Sequence, residues 1–155
     1  MAEPASAVRV LLNALHARAG GGRTYLRNMV PRLAREPGVE LHVVLHEDDR
    51  ALEPAGGWPG VTVHRLAFAA GFWRRLWREQ IDVPRLARRV GARVTFSPAN
   101  FGPFLAPGRV ILIRNALAVG GLERRPFRIA YWMLLATVTA LSIVTARGVM
   151  AVSDY

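Results

Sequence analysis

The chain has 155 residues, about one domain, and its 52% apolar content is too high for a disordered polypeptide. It contains no cysteine, which excludes disulfides and thiolate chemistry and fits a reducing compartment. Net charge is +10, yet all 21 basic residues are arginine and no basic run exceeds two, unlike the clustered Lys/Arg tracts of nucleic-acid binders, so no nucleic-acid partner is expected.

In chain order, the first apolar run, Val8–Leu15, reads as a buried strand. It is short and follows Glu3 and Pro4, so it does not resemble a basic leader ahead of an apolar signal core, and a cytoplasmic location is expected. Gly20-Gly21-Gly22-Arg23-Thr24 comes next, and then Leu26, Met29, Val30 and Leu33 at the spacing of one helix face. This predicts a helix over 24–35, with Pro31 imposing a bend or a late start and Glu36-Pro37-Gly38 ending it. Further strands are predicted at 40–45, 61–66, 93–97, 110–114 and 149–152. Residues 53–60 and 98–108, rich in Pro and Gly, are predicted loops. A helix from about Phe72 is expected to bury Trp73, Leu76 and Trp77. Pro84 is expected to interrupt it before a second helix with Val83, Leu86, Ala87 and Val90 on one face. A long apolar helix is predicted over 124–146.

Short strands alternating with helices predict an α/β fold: a Rossmann-like, doubly wound parallel sheet flanked by helices, in one domain over residues 1–155. Ligands of such sheets bind beyond the carboxyl ends of the strands. Those ends present His16 and the Gly run, then Asn100, then Arg114 and Asn115, then Ser153 and Asp154. Strand, glycine turn and helix together can form an anion site, because the helix's first N–H groups point at whatever approaches the glycines. The same glycines are equally consistent with a tight turn that needs positive φ. Asn100 could donate to and accept from a sugar hydroxyl, or cap a turn beside Pro98. Arg114 closes an apolar strand and must reach solvent or an anion, because a buried unpaired charge is very costly. Glu79, among Arg74, Arg75 and Arg78, reads as a surface ion pair with Arg75 at i, i+4. His42 and His64 lie within strands and are expected to pack there. No His/Asp/Glu cluster has metal-ligand spacing, so no metal is predicted.

Several segments, taken together, resemble the N-terminal domain of GT-B fold glycosyltransferases, specifically the large retaining family that uses nucleotide-sugar donors. They are residues 20–28 (Gly-Gly-Gly-Arg-Thr-Tyr-Leu-Arg-Asn), Trp77-Arg78-Glu79-Gln80 with Val83-Pro84, Val94 to Asn100, the pair Arg114-Asn115, and Val149 to Tyr155. They occur in family order and span essentially the whole chain. Many members carry a histidine where this chain has Arg114, so any contact made by that histidine must be made differently here.

The resemblance implies transfer of a sugar from a nucleotide-sugar to a glycan or lipid-linked acceptor, in the biosynthesis of cell-surface glycans or glycolipids. It places Gly20, Gly21, Gly22, Arg23 and Thr24 near the donor diphosphate, and Asn100, Arg114, Asn115 and His16 on the acceptor side of the cleft. It also implies a second, donor-binding Rossmann-like domain with a paired-glutamate motif. The chain is expected to stop where the first domain stops, and the isolated chain is expected to be inactive. The alternative reading is a non-catalytic α/β domain that binds a nucleotide or a partner protein.

Two segments raise the matter of a membrane. Residues 129–146 are 18 in a row without a charge, against about 20 for a spanning helix. The run contains Thr137, Thr139, Ser142 and Thr145 and leads at once into a strand, so a buried or half-buried domain helix is expected. Phe72-Trp73-Arg74-Arg75-Leu76-Trp77-Arg78 interleaves rings and arginines, as core tryptophans with a solvated basic face or as a patch for an anionic membrane surface. Residues 83–155 carry 10 Arg and 2 acidic groups, net +8, against 11 Arg and 9 acidic groups, net +2, before them. A peripheral position at the inner face of the membrane follows as an expectation.

Overall fold

A computed structural model describes residues 7–17, 21–69, 71–113 and 126–151. Among these, six strands form a single parallel sheet: β1 (Val8–Asn13), β2 (Val39–His46), β3 (Val61–Leu66), β4 (Val94–Ser97), β5 (Arg109–Ile113) and β6 (Gly148–Ala151). Their spatial order is β3-β2-β1-β4-β5-β6. The chain therefore builds outward in one direction from β1 to β3, crosses back, and builds outward in the other direction from β4. The helices are α1 (Gly21–Leu33), α2 (Phe72–Arg89) and α3 (Pro126–Thr145), with a 3-10 turn at Arg50–Leu52. This is the Rossmann-like α/β architecture that the alternating pattern predicts.

Alternate residues of each strand pack to opposite sides of the sheet. Leu12, Leu41, Val43, Leu45 and Phe96 pack under Leu26 and Val30 of α1. Leu11, Leu15 and Val44 face the other way and pack with Val83, Leu86 and Ala87 of α2. Parallel register carries this second face across the sheet: Leu11 is level with Thr95, and Thr95 with Arg109. The Arg109 guanidinium, on that side, donates to the Thr145 carbonyl at the end of α3. So α2 and α3 lie on one face of the sheet and α1 on the other, as right-handed crossovers require. Burial lowers the pKa of Arg109, whose guanidinium lies 5.5 Å from the Phe104 ring centre.

Several expectations are corrected. Helix α1 begins at Gly21 rather than Thr24, and Pro31 sits in its last turn, where it removes the one N–H that would have reached the Arg27 carbonyl and only two helical residues follow it. Helix α2 runs unbroken through Pro84 to Arg89, because one proline removes a single helical hydrogen bond and the packing of Val83, Leu86 and Ala87 holds the rest. Trp73 and Trp77 are 62% and 69% exposed, not buried; the inward stripe runs through Leu76, Glu79 and Val83 instead. Helix α3 is not a buried core helix: its large apolar side chains face outward and its fully buried residues are Thr139 and Ser142. His42 and His64 pack as expected, with ring centres 5.3 Å apart and a ring-nitrogen contact of 3.0 Å.

Candidate functional site at the carboxyl edge of strands β1 and β4

The chain leaves β1 toward β2 and leaves β4 toward β5, in opposite directions along the sheet, so the β1/β4 boundary is the topological switch point, where ligands of such sheets bind. The last residue of β1 is Asn13 and the last of β4 is Ser97, both buried. The Asn13 amide donates to Glu79 Oε1 at 2.5 Å and to Ser97 Oγ at 3.2 Å. His16, three residues past β1, has its Nε2 2.5 Å from Glu79 Oε2. Glu79, on the inner face of α2, is 0% exposed. Strand β1 and the loop after it thus give each oxygen of the Glu79 carboxyl group a partner, as a buried polar group requires, and β4 joins the cluster through Asn13.

With Nε2 donating to the Glu79 carboxylate, the neutral ring has its Nδ1 as a hydrogen-bond acceptor. Asn13, Glu79 and Ser97 are sealed, whereas the His16 side chain is 16% exposed. His16 is therefore the member of the group that reaches the surface. Phe101 closes on its ring edge-on, with centres 5.0 Å apart. The neighbouring Gln80 holds the loop after β4, accepting from the Phe104 N–H at 2.8 Å and donating to the Gly102 carbonyl at 3.4 Å. A Cβ at Gly102 would come within 2.6 Å of Ser97 Oγ, so only glycine lets that loop sit against the end of β4.

Of the residues singled out in the sequence, His16 lies in this cluster. Asn100 is half-buried in the loop after β4, next in sequence to the Phe101 that covers His16. Gly21 and Gly22 open α1 at the same edge of the sheet, with Gly22 buried and Thr24 exposed. Gly21 and Thr24 border a groove of about 720 Å³ that follows α1 past Tyr25, Asn28 and Arg32. The Nε of Arg23 is buried with no hydrogen-bond partner among the described residues. Gly20, Arg114, Asn115, Ser153 and Asp154 lie outside the described residues. Glu79 is a correction: it is no surface partner of Arg75 but the buried centre of the cluster. Asn13, read only as part of an apolar run, was missed too. A signal for Glu79 did exist, since Val83, Leu86, Ala87 and Val90 extend back along one helix face to position 79. Among the described residues, no three His, Cys, Asp or Glu side chains come together to hold a metal ion.

The fold and the site define a Rossmann-like α/β domain with a polar cluster at its topological switch point. No family model, no curated protein and no solved structure matches the chain.

Proposed function

We propose that this chain is the acceptor-side domain of a glycosyltransferase, of the retaining class its motifs resemble, moving a sugar from a nucleotide-sugar donor to a glycan or lipid-linked acceptor. The observation that carries the reading is the group Asn13, His16, Glu79 and Ser97 at the carboxyl ends of β1 and β4. Sugar hydroxyls both donate and accept hydrogen bonds, so a site for them needs fixed polar partners rather than mobile ones. Glu79 holds the His16 ring in place, and Nδ1 of the neutral ring then offers a fixed acceptor to a hydroxyl of the acceptor sugar. The start of α1, with Gly21, Gly22 and the unpaired Nε of Arg23, supports a diphosphate beside it. The donor-binding domain implied by the motif resemblance would supply most nucleotide contacts and complete the cleft. The enzyme would work in the cytoplasm.

The test is a titration of the purified chain with UDP-, GDP- and ADP-sugars, followed by NMR. The reading predicts millimolar binding that shifts the amides of residues 21–25 and the ring signals of His16. It also predicts that Arg23→Ala weakens the amide response while Arg50→Ala, in the loop after β2, leaves it unchanged. If no nucleotide-sugar shifts either set of signals, the reading fails.

A further inference from the structure

Helix α3 is built the wrong way round for a helix of a water-soluble domain. Toward the protein it presents Thr139 and Ser142, which are 2% and 0% exposed; the Ser142 hydroxyl is buried without a partner among the described residues. Toward the outside it presents Phe127, Met133, Leu141 and Val144, of which Phe127 is 92% and Val144 81% exposed. The neighbouring edge strand β6 adds Val149 and Met150, both exposed. An apolar surface of this extent marks a place where something other than water is met.

Helix α3 is long and apolar enough to cross a membrane, but its last turn is held to the sheet by Arg109. The strands on either side of it, β5 and β6, pair in the same sheet, so α3 lies back along that sheet. Its outer side is available to an apolar layer that meets it in parallel, as an interfacial helix does.

The second face of the sheet carries α2 as well. Both helices follow a strand's carboxyl end and run back against the strand direction, so their first turns lie at the same edge. There α2 exposes Trp73 and Trp77, with Arg74 and Arg78 between and beside them. Helix α3 begins with Phe127, Arg128, Tyr131 and Trp132 at that edge and is followed by Arg147. Aromatic rings and arginines bordering an apolar strip are the composition of the water–lipid boundary. Charge separates the candidate occupants. Neither α3 nor β6 carries an acidic residue. A second copy of a chain of net charge +10 would bring like charge to the contact, whereas an anionic bilayer brings the opposite charge together with an apolar interior.

We propose that the outer face of α3, with Trp73 and Trp77 of α2, docks flat on an anionic phospholipid surface. The sheet's carboxyl edge, and with it His16, then lies beside the headgroups. This surface needs no sugar donor, so vesicle binding stands or falls apart from the glycosyltransferase reading.

The experiment is co-sedimentation of the chain with phosphatidylglycerol-containing and with pure phosphatidylcholine vesicles, together with sedimentation equilibrium in the absence of lipid. Expected are a monomer without lipid, binding to the anionic vesicles only, loss of binding as salt rises, and a blue shift of tryptophan fluorescence that Trp73→Ala and Trp77→Ala reduce. Met133→Glu and Val144→Glu replace exposed side chains, so the fold should survive while binding weakens about tenfold or more. Equal binding to both vesicle types, binding unaffected by Met133→Glu and Val144→Glu, or no binding would overturn the proposal. So would a lipid-free dimer that Met133→Glu dissociates, since the face would then belong to a second copy.

Discussion

A single buried carboxylate organises the candidate site, and its substitution separates structure from chemistry. Glu79→Ala removes one of the two acceptors of the Asn13 amide and the acceptor of the His16 ring, which should lower stability by about 1–3 kcal/mol in urea unfolding. Glu79→Gln keeps one acceptor oxygen and should cost less; equal losses for the two variants would mean the carboxylate is not what the two donors need. His64 supplies a second test, through pH. Burial, reinforced by the charges of His42 and Arg89, holds its pKa below the ordinary 6.5. The unfolded chain therefore takes up the proton first, so stability is fully present above pH 6.5 and falls as pH drops through the lower folded value. His64→Gln should flatten that part of a stability–pH curve, and an unchanged slope would rule out His64 as its source.

The strands were readable in the sequence because short apolar runs between turn signals have few other uses, and β3 matches its expected bounds, Val61–Leu66. Helix direction was less readable. Hydropathy registers how apolar α3 is but not which way its side chains face, and its inner stripe is held by Thr139 and Ser142. The burial of Glu79 depends on contacts 63 and 66 residues away in sequence, with His16 and Asn13, which no local window contains. The connection into β5 offers a clean backbone test. Gly108 has φ of +52°, and a Cβ there would lie 1.9 Å from the Arg93 carbonyl oxygen. Gly108→Ala should therefore destabilise by more than about 1 kcal/mol. Gly148→Ala, at the start of the edge strand, meets only ordinary contacts with Val110 and should change stability little. Similar thermal shifts for the two variants would contradict this account of the turn before β5.

For the molecule as a whole, the order β3-β2-β1-β4-β5-β6 puts the topological switch point at the β1/β4 boundary, the place where ligands of such sheets bind. The parallel sheet, and with it the alignment of the strands' carboxyl ends along one edge, followed from the alternation of elements alone. Which side chains meet there did not, since Asn13 read as part of an apolar strand and Glu79 as a surface charge. The same topology sets α2 and α3 on one face and turns their aromatic first turns toward the edge that holds His16. The site and the proposed lipid-facing surface are therefore neighbours, an arrangement suited to an acceptor held in a membrane. The most direct measurement is calorimetric titration of a nucleotide-sugar, with and without an acceptor glycan, into the chain and into a His16→Gln variant with an unchanged melting temperature. The account predicts that acceptor binding weakens in the variant by about fivefold or more, the loss of one hydrogen bond of about 1 kcal/mol, while donor binding at the start of α1 persists. Acceptor binding of equal strength in both proteins would contradict it.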